Sequence, residues 1–422
     1  MKIEKIFIII SLLLIPIYIL NATNNIIHIS VAYLEDKRVP SISNKDIKKI
    51  ISSAKDELYI KFGTKNIIFD YKGKKNIKSF FKKYLKKNSK FYKNLAIYKL
   101  NLRKNHIDYE QFKPEIIKFL KQWKLWDLKD FFPPDIKSKI SSYDDIVYYL
   151  FKIYEKKVNI LKNLKFKGRF IIDKSKDSVN SYINWLTVMY FQNRYDIVFS
   201  NTLIVYDNIV APYPHAVLRY AKVGGSSFES PKRKIFDGTS SMVNLFEMLT
   251  PLKYFKSKKI DYSLSREKWD DIIGRFIMAH EMGHMIYLIP DVYDHPKGCL
   301  MDSSYMNMDY YEGYKILLKY PFQCPKCKVW VDARNTHFYA DSLFNKKNYK
   351  DAIFYYKKAI KQTPRKLDID YNKYISLLYY KISLSFYKLN DINNAKKYLK
   401  KSLSLFPENK KSNYLKELIN EK

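Results

Sequence analysis

Two histidines one helical turn apart, with a glutamate after the first, stand in the stretch His280-Glu281-Met282-Gly283-His284. Side chains at i and i+4 project from one face of a helix. His280 and His284 can therefore turn both imidazoles toward a single zinc ion. Glu281 lies beside them and can take a proton from a zinc-bound water, whose pKa the metal brings toward neutrality. Gly283 is small, as close packing beneath a metal demands. The run before them, residues 272–279, is mostly apolar and helical in period.

A third catalytic ligand is less plain. The position six residues after His284 holds Pro290. His295, Asp291, Asp294 and, from a later helix, Glu312 are the candidates. Imidazole is the commoner zinc ligand, which favours His295. The chain has three cysteines, Cys299, Cys324 and Cys327, all close behind the histidine pair. Their clustering beside histidines points to a metal rather than a disulfide framework. A closed structural zinc takes four ligands, so His295 or His337 must complete the set. The assignments are linked, because one histidine cannot serve both metals. If His295 joins the cysteines, the catalytic zinc takes Asp291 or Asp294.

The elements that must hold these residues can be read from pattern. A helix is expected from about Ser265 to Leu288, ending before Pro290. Strands are expected at 26–33, 65–71, 167–173 and 195–207, and a helix capped by Ser43 or Asn44 between the first two. A second helix is expected over 178–193, and Gly224–Ser230 reads as a loop or edge strand able to bind a substrate backbone. Residues 75–165 read as a mostly helical insertion broken at Pro133 and Pro134. The fold class is α+β, with a mixed sheet and the histidine-bearing helix.

In combination, His280–His284, Cys299-Leu300-Met301 and Cys324–Cys327 occur in an order that resembles the metzincin-type zinc proteases, above all the archaemetzincins. That resemblance implies a zincin-like catalytic domain over 25–335, a catalytic zinc, a methionine turn at Met301 and a second, structural zinc held by the cysteines. It covers about 50 residues. This chain departs from it at Tyr287, where the family has a turn-forming glycine, and at Pro290. Pro290-Asp291-Val292-Tyr293-Asp294 also resembles the Pro-Asp-x-Tyr-Asp of other exported zincins, which favours Asp291. The implied activity is peptide-bond hydrolysis. The alternative is an inactive zincin scaffold that presents the C-terminal module.

That module, 336–422, resembles tetratricopeptide repeats. Ala340, Tyr349, Ala352, Tyr356, Ala359 and Pro364 fall on the pattern, and so do Tyr379, Phe386, Ala395 and Pro407, with Ser383 and Ser402 in place of alanines. The prolines are 43 residues apart rather than the 34 of a regular array. Such repeats bind peptides or protein partners.

Residues 1–24 carry Lys2 and Lys5 before an apolar run, Ile6 to Leu20. This reads as a signal anchor or signal peptide with the remainder outside the cytoplasm, membrane-anchored or secreted. With 77 Lys+Arg against 42 Asp+Glu, the net charge is +35, which favours anionic surfaces. The densest lysine run, 72–94, alternates with aromatics at helical spacing and reads as a solvated amphipathic face. No specific nucleic-acid motif accompanies it, no serine triad is present, and no phosphate-cradling loop occurs.

Overall fold

The computed structural model describes residues 26–35, 37, 40–76, 98–101, 109–121, 124–129, 132, 134–163, 171–173, 178–184, 195–201, 204–205, 225–229, 239–245, 249, 264–290, 295–302, 310–364 and 369–420. The N-terminal apolar run and the segment holding Asp291 and Asp294 lie outside them. Among the described residues, no helix is long and apolar enough to cross a membrane.

The fold is α+β, mostly helical, with a small and largely parallel sheet. Its strands are β1 (Ile27–Glu35), β2 (Ile67–Asn76), β3 (Tyr98–Asn101), β4 (Ile171–Asp173), β5 (Ser178–Asn184), β6 (Ile197–Ser200), β7 (Ile204–Val205), β8 (Gly225–Glu229) and β9 (Thr239–Asn244). The main sheet has the order β2-β1-β6-β9-β8. β1, β6 and β9 run parallel, whereas β8 closes one edge antiparallel to β9. Inner parallel strands are covered on both faces and therefore read as continuous apolar runs. β6 is buried at all four positions, as are Val31, Ala32, Tyr33 and Leu34 of β1. Asp196 ties β1 to the start of β6, accepting from the Ser30 backbone N–H and hydroxyl at 2.7 and 2.6 Å.

The helix expected over 178–193 is not formed at its start. Ser178–Asn184 is strand β5, paired antiparallel with both β3 and β4. Val179 and Ile183 suit a strand, and pairing on both sides outweighs the weak helical period. Residues 72–76 of the lysine-rich run likewise belong to β2, not to an amphipathic helix. The insertion is helical over α2 (Tyr109–Leu120), α3 (Leu125–Leu128), α4 (Pro134–Lys137) and α5 (Tyr143–Asn163), with β3 ahead of them.

Helix α1 (Asn44–Phe62) begins at a capping box, in which Ser43 and Asp46 satisfy each other's backbone N–H, and ends at Gly63 with φ 67°. Helix α6 spans 266–287 behind an N-cap at Ser265. It is α-helical over Arg266–Ile272, π-helical over Ile273–Met278 and α-helical again over Ala279–Tyr287. Such π segments recur at functional sites because the wider turn re-phases the helix beyond it; here the next residues carry the histidine pair. α1 and α6 touch at Gly274, where a Cβ would collide with the Ile50 carbonyl oxygen. Arg275 locks the pair, reaching Glu57 and Asp271 at 3.0 Å each. Burial pushes the Glu57 carboxyl up, against the pull of Arg275 and Lys61.

The chain divides into two compact units, with a boundary after Cys324. The sheet, α1–α6 and α7 (Tyr310–Lys319) belong to one. The other is centred on Pro325–Lys422, with α8 (Pro325–Asn345), α9 (Tyr349–Gln362), α10 (Ile369–Lys388), α11 (Ile392–Leu405) and α12 (Lys410–Asn420). In it the same turn recurs 43 residues apart. Lys347 and Asn390 take φ 63° and 59°, and Asn348 and Asp391 come next as N-caps. The serines at alanine positions are buried and bonded across helices. Ser383 donates to the Ala395 carbonyl at 2.7 Å, and Ser402 to the Ser376 carbonyl at 2.7 Å. A buried hydroxyl with such a partner carries little desolvation penalty.

Candidate metal centres

Helix α6 brings His280 and His284 together with their ring planes at 89° and centroids 4.7 Å apart. Each ring is oriented through its Nδ1. His280 Nδ1–H donates to the Leu300 carbonyl at 2.8 Å, and His284 Nδ1–H donates to the Ile289 carbonyl. Because carbonyls only accept, both Nδ1 atoms carry the hydrogens and both Nε2 atoms are the lone-pair nitrogens of the neutral rings. The two Nε2 atoms lie 3.1 Å apart. Two imidazoles on a tetrahedral zinc at ordinary bond lengths have nitrogens about 3.3 Å apart. Backbone carbonyls on the outer ring nitrogens are the usual orienting partners of metal-bound histidines.

Glu281 is buried, and its backbone carbonyl accepts from the Ser241 hydroxyl of β9 at 3.1 Å. That bond and the α6–sheet packing set the helix's rotation. The helix ends at Leu288, which takes the left-handed conformation, φ 57°, usual for glycine. The turn that the resemblance assigns to a glycine at 287 is thus made one residue later, by a leucine, at a cost of about 1–2 kcal/mol. Tyr287 stays in the core, its hydroxyl 2.5 Å from Thr64 Oγ1 and its ring 5.4 Å from Phe62.

Met301 is fully buried beneath the helix. A Cβ built on Gly283 would lie 2.5 Å from Met301 Sδ, so the glycine is what lets the thioether sit between the two histidine turns.

His295, Cys299, Cys324 and Cys327 form one buried cluster whose ligand atoms all lie within 4.8 Å of one another. His295 Nδ1 is 3.2 Å from Cys299 Sγ and 3.4 Å from Cys324 Sγ. The cysteines are free thiols rather than a disulfide. Three sulfurs and one imidazole at these spacings can hold a metal ion in a closed, four-ligand site. His295 therefore stands with the cysteines and not with His280 and His284. His337, the other candidate fourth ligand, is buried in α8 beside Arg334 and Lys381, at 2.7 and 2.8 Å. Glu312 sits exposed on α7 and pairs with Lys315 at 2.7 Å.

Lys61 was not evident from sequence. Only 2 % of its surface is exposed, and its ammonium donates to the carbonyls of Gly298, Leu317 and Tyr320 at 3.0, 3.3 and 2.5 Å. It fastens the chain on either side of the first cysteine. The only hint was a lysine one turn after Glu57 on an otherwise apolar face. The Leu300 and Ile289 carbonyls leave no mark in sequence at all, since every residue has one.

Residues 334–366 and 377–409 match the tetratricopeptide repeat family. The repeats begin 43 residues apart, as the proline spacing implied, and they bear out the C-terminal repeat module. No curated protein and no solved structure matches the chain. Repeats of this kind are protein-interaction modules, so a protein partner for this unit is the coarse expectation the match supports.

Proposed function

We propose that the chain is a zinc-dependent metallopeptidase of zincin type, with tetratricopeptide repeats appended. The observation that carries this reading is the convergence of His280 and His284 through their Nε2 atoms, 3.1 Å apart, with both Nδ1–H groups tied to carbonyls. This is a ligand arrangement set up for a metal, and Glu281 stands next to it on the same turn.

Zinc bound there would supply Lewis acidity, lowering the pKa of a water and polarising the scissile carbonyl. Glu281 would take the water's proton and pass it to the departing amide nitrogen. An extended substrate would add antiparallel to β8, the edge strand of the sheet. With His295 among the cysteines, Asp291 is the third catalytic ligand in this reading, with Asp294 as substitute. The Cys₃His cluster would hold a second, structural zinc. Thiolate-rich zinc sites are closed and stabilising. The N-terminal apolar run would export the chain and leave it membrane-anchored or secreted.

The test is zinc per chain by elemental mass spectrometry, together with cleavage of an unbiased peptide library. Two zincs and cleavage are expected. Glu281→Gln should keep both metals and abolish cleavage; equal cleavage by that variant would sink the mechanism. Two zincs with no cleavage in any variant would favour the scaffold reading instead.

A further inference from the structure

The repeat unit holds a groove of about 590 Å³ between the end of α9, the first half of α10 and the end of α11. Ile375 and Leu405 give it an apolar floor, Tyr371 and Tyr379 line its walls, and Lys361 and Lys401 stand at its rim. Among the described residues that line it, none is acidic. Both lysines are exposed, and among the described residues neither makes an ion pair.

An aromatic ladder continues from this groove. Tyr379 and Tyr398 have centroids 6.1 Å apart, and Phe386 stacks on Tyr398 at 5.4 Å with 16° between planes. Lys401 Nζ lies 5.6 Å from the Tyr379 ring and 5.3 Å from Tyr398. Lys357 Nζ lies 5.2 Å from Tyr398 and 5.6 Å from Phe386. Ring faces attract the ammonium groups, so Lys357 and Lys401 are held over the ladder, and among the described residues neither has an acidic partner. Their positive charge remains available to a ligand, and less side-chain freedom is left to lose on binding.

We propose that this face of the repeat unit binds an extended acidic peptide segment of a protein partner. Glutamate or aspartate carboxylates would meet Lys361, Lys401 and Lys357, and intervening apolar side chains would occupy the Ile375–Leu405 floor. A groove with an apolar floor and a cationic rim fits an alternating acidic–apolar peptide. A nucleic acid would instead need its bases on open ring faces, and Lys357 and Lys401 already lie over the rings of the ladder. The proposal does not depend on peptidase activity.

The test uses the full chain and a short fluorescein-labelled peptide alternating glutamate and leucine, read by anisotropy. A lysine-for-glutamate counterpart and a single-stranded oligonucleotide serve as competitors. The acidic peptide should bind, weaken steeply with salt, and bind about tenfold more weakly to Lys361→Glu/Lys401→Glu. Lys361→Glu alone, at a side chain with no ion pair among the described residues, should weaken binding in the same direction. Lys416→Glu, on α12 and not among the residues that line the groove, should leave it unchanged. Helix content by circular dichroism should be the same in all. Absence of acidic-peptide binding, binding unaffected by either groove variant, or tighter binding of the oligonucleotide would each overturn the proposal. So would a concentration-dependent dimer in sedimentation that Lys361→Glu/Lys401→Glu abolishes, since the groove would then be occupied by a second copy.

Discussion

His280 is oriented by Leu300: its Nδ1–H donates to the Leu300 carbonyl at 2.8 Å. The residue before Leu300 is Cys299, a member of the Cys₃His cluster, and the residue after it is Met301, packed under Gly283. Three consecutive residues thus serve two candidate metal sites. Cys299 can bind one metal, Leu300 aims a ligand of the other, and Met301 supports the helix that carries it. The Met301 backbone N–H also points to Cys299 Sγ at 3.4 Å.

This coupling sets an expectation for Gly283→Ala. The added methyl meets Met301 Sδ at 2.5 Å, and Phe62 stands at 3.1 Å on another side. Overpacking of this kind costs on the order of 2 kcal/mol. Thermal melting should fall accordingly, and zinc retention at the histidine pair should weaken as Met301 is pushed away. Gly283→Ala with unchanged melting and unchanged zinc would show that the Met301 contact does not support the site.

The placement of His295 makes a second expectation. His295→Ala should lose one zinc, lower the melting temperature and leave the His280–His284 zinc in place. Asp291→Asn should do the reverse, lowering catalytic zinc affinity and cleavage while the cysteine-bound metal stays. Elemental analysis of the two variants separates these outcomes. If His295→Ala instead removes the metal that Glu281 needs and Asp291→Asn has no effect, the third catalytic ligand is His295.

Asp270 provides a pH signature. It is buried in α6, and neither carboxyl oxygen has a hydrogen-bond partner among the described residues. Burial, helped by the charge of Asp46, raises its pKa from 3.8 to about 7. The folded chain then holds a proton that the unfolded chain has released, so stability falls as pH rises between about 4 and 7. Asp270→Asn should flatten that slope. It should exceed the parent in denaturant midpoint at pH 8 and match it near pH 4. A variant with the parent's slope would show that Asp270 is not the group responsible.

Asp341 has the opposite sign. It pairs with Lys381 at 2.7 Å, lies 3.4 Å from His337 Nε2 and accepts from the Tyr356 hydroxyl at 2.6 Å. Burial opposes its ionisation, but His337 and Lys381 prevail and hold its carboxyl well below the usual range. Its contribution is present at neutral pH and is lost as the solution becomes more acid than an unfolded aspartate's pKa. Asp341→Asn leaves Lys381 without its counter-charge. Allowing for the partial exposure of Asp341, the repeat unit should lose on the order of 2 kcal/mol at pH 7, and the loss should shrink progressively as the pH is taken below that of an unfolded aspartate's pKa, read by helix melting.

Much of this architecture was legible in sequence because it is local. The i, i+4 histidines, the Ser265 start of α6, the Ser43 cap and the repeated Ala, Tyr and Pro positions each depend on neighbours within a turn or two. A periodic pattern records such neighbours directly. The 43-residue repeat spacing appears in the match at 334–366 and 377–409 for the same reason.

Tertiary structure alone decided the rest. The sequence left His295 open between two metals, and only the folded chain sets it 3.2 Å from Cys299 Sγ. It took Ser178–Asn184 for the start of a helix, because strand pairing with β3 and β4 joins residues far apart in the chain. It could not show that Leu300 and Ile289 lend carbonyls to the two histidines, that Leu288 makes the turn the resemblance gives to glycine, or that Lys61 ties three carbonyls. Backbone acceptors are common to all residues, and long-range contacts depend on how the whole chain packs. Residue types and spacing determined which ligands are available; packing determined which of them meet.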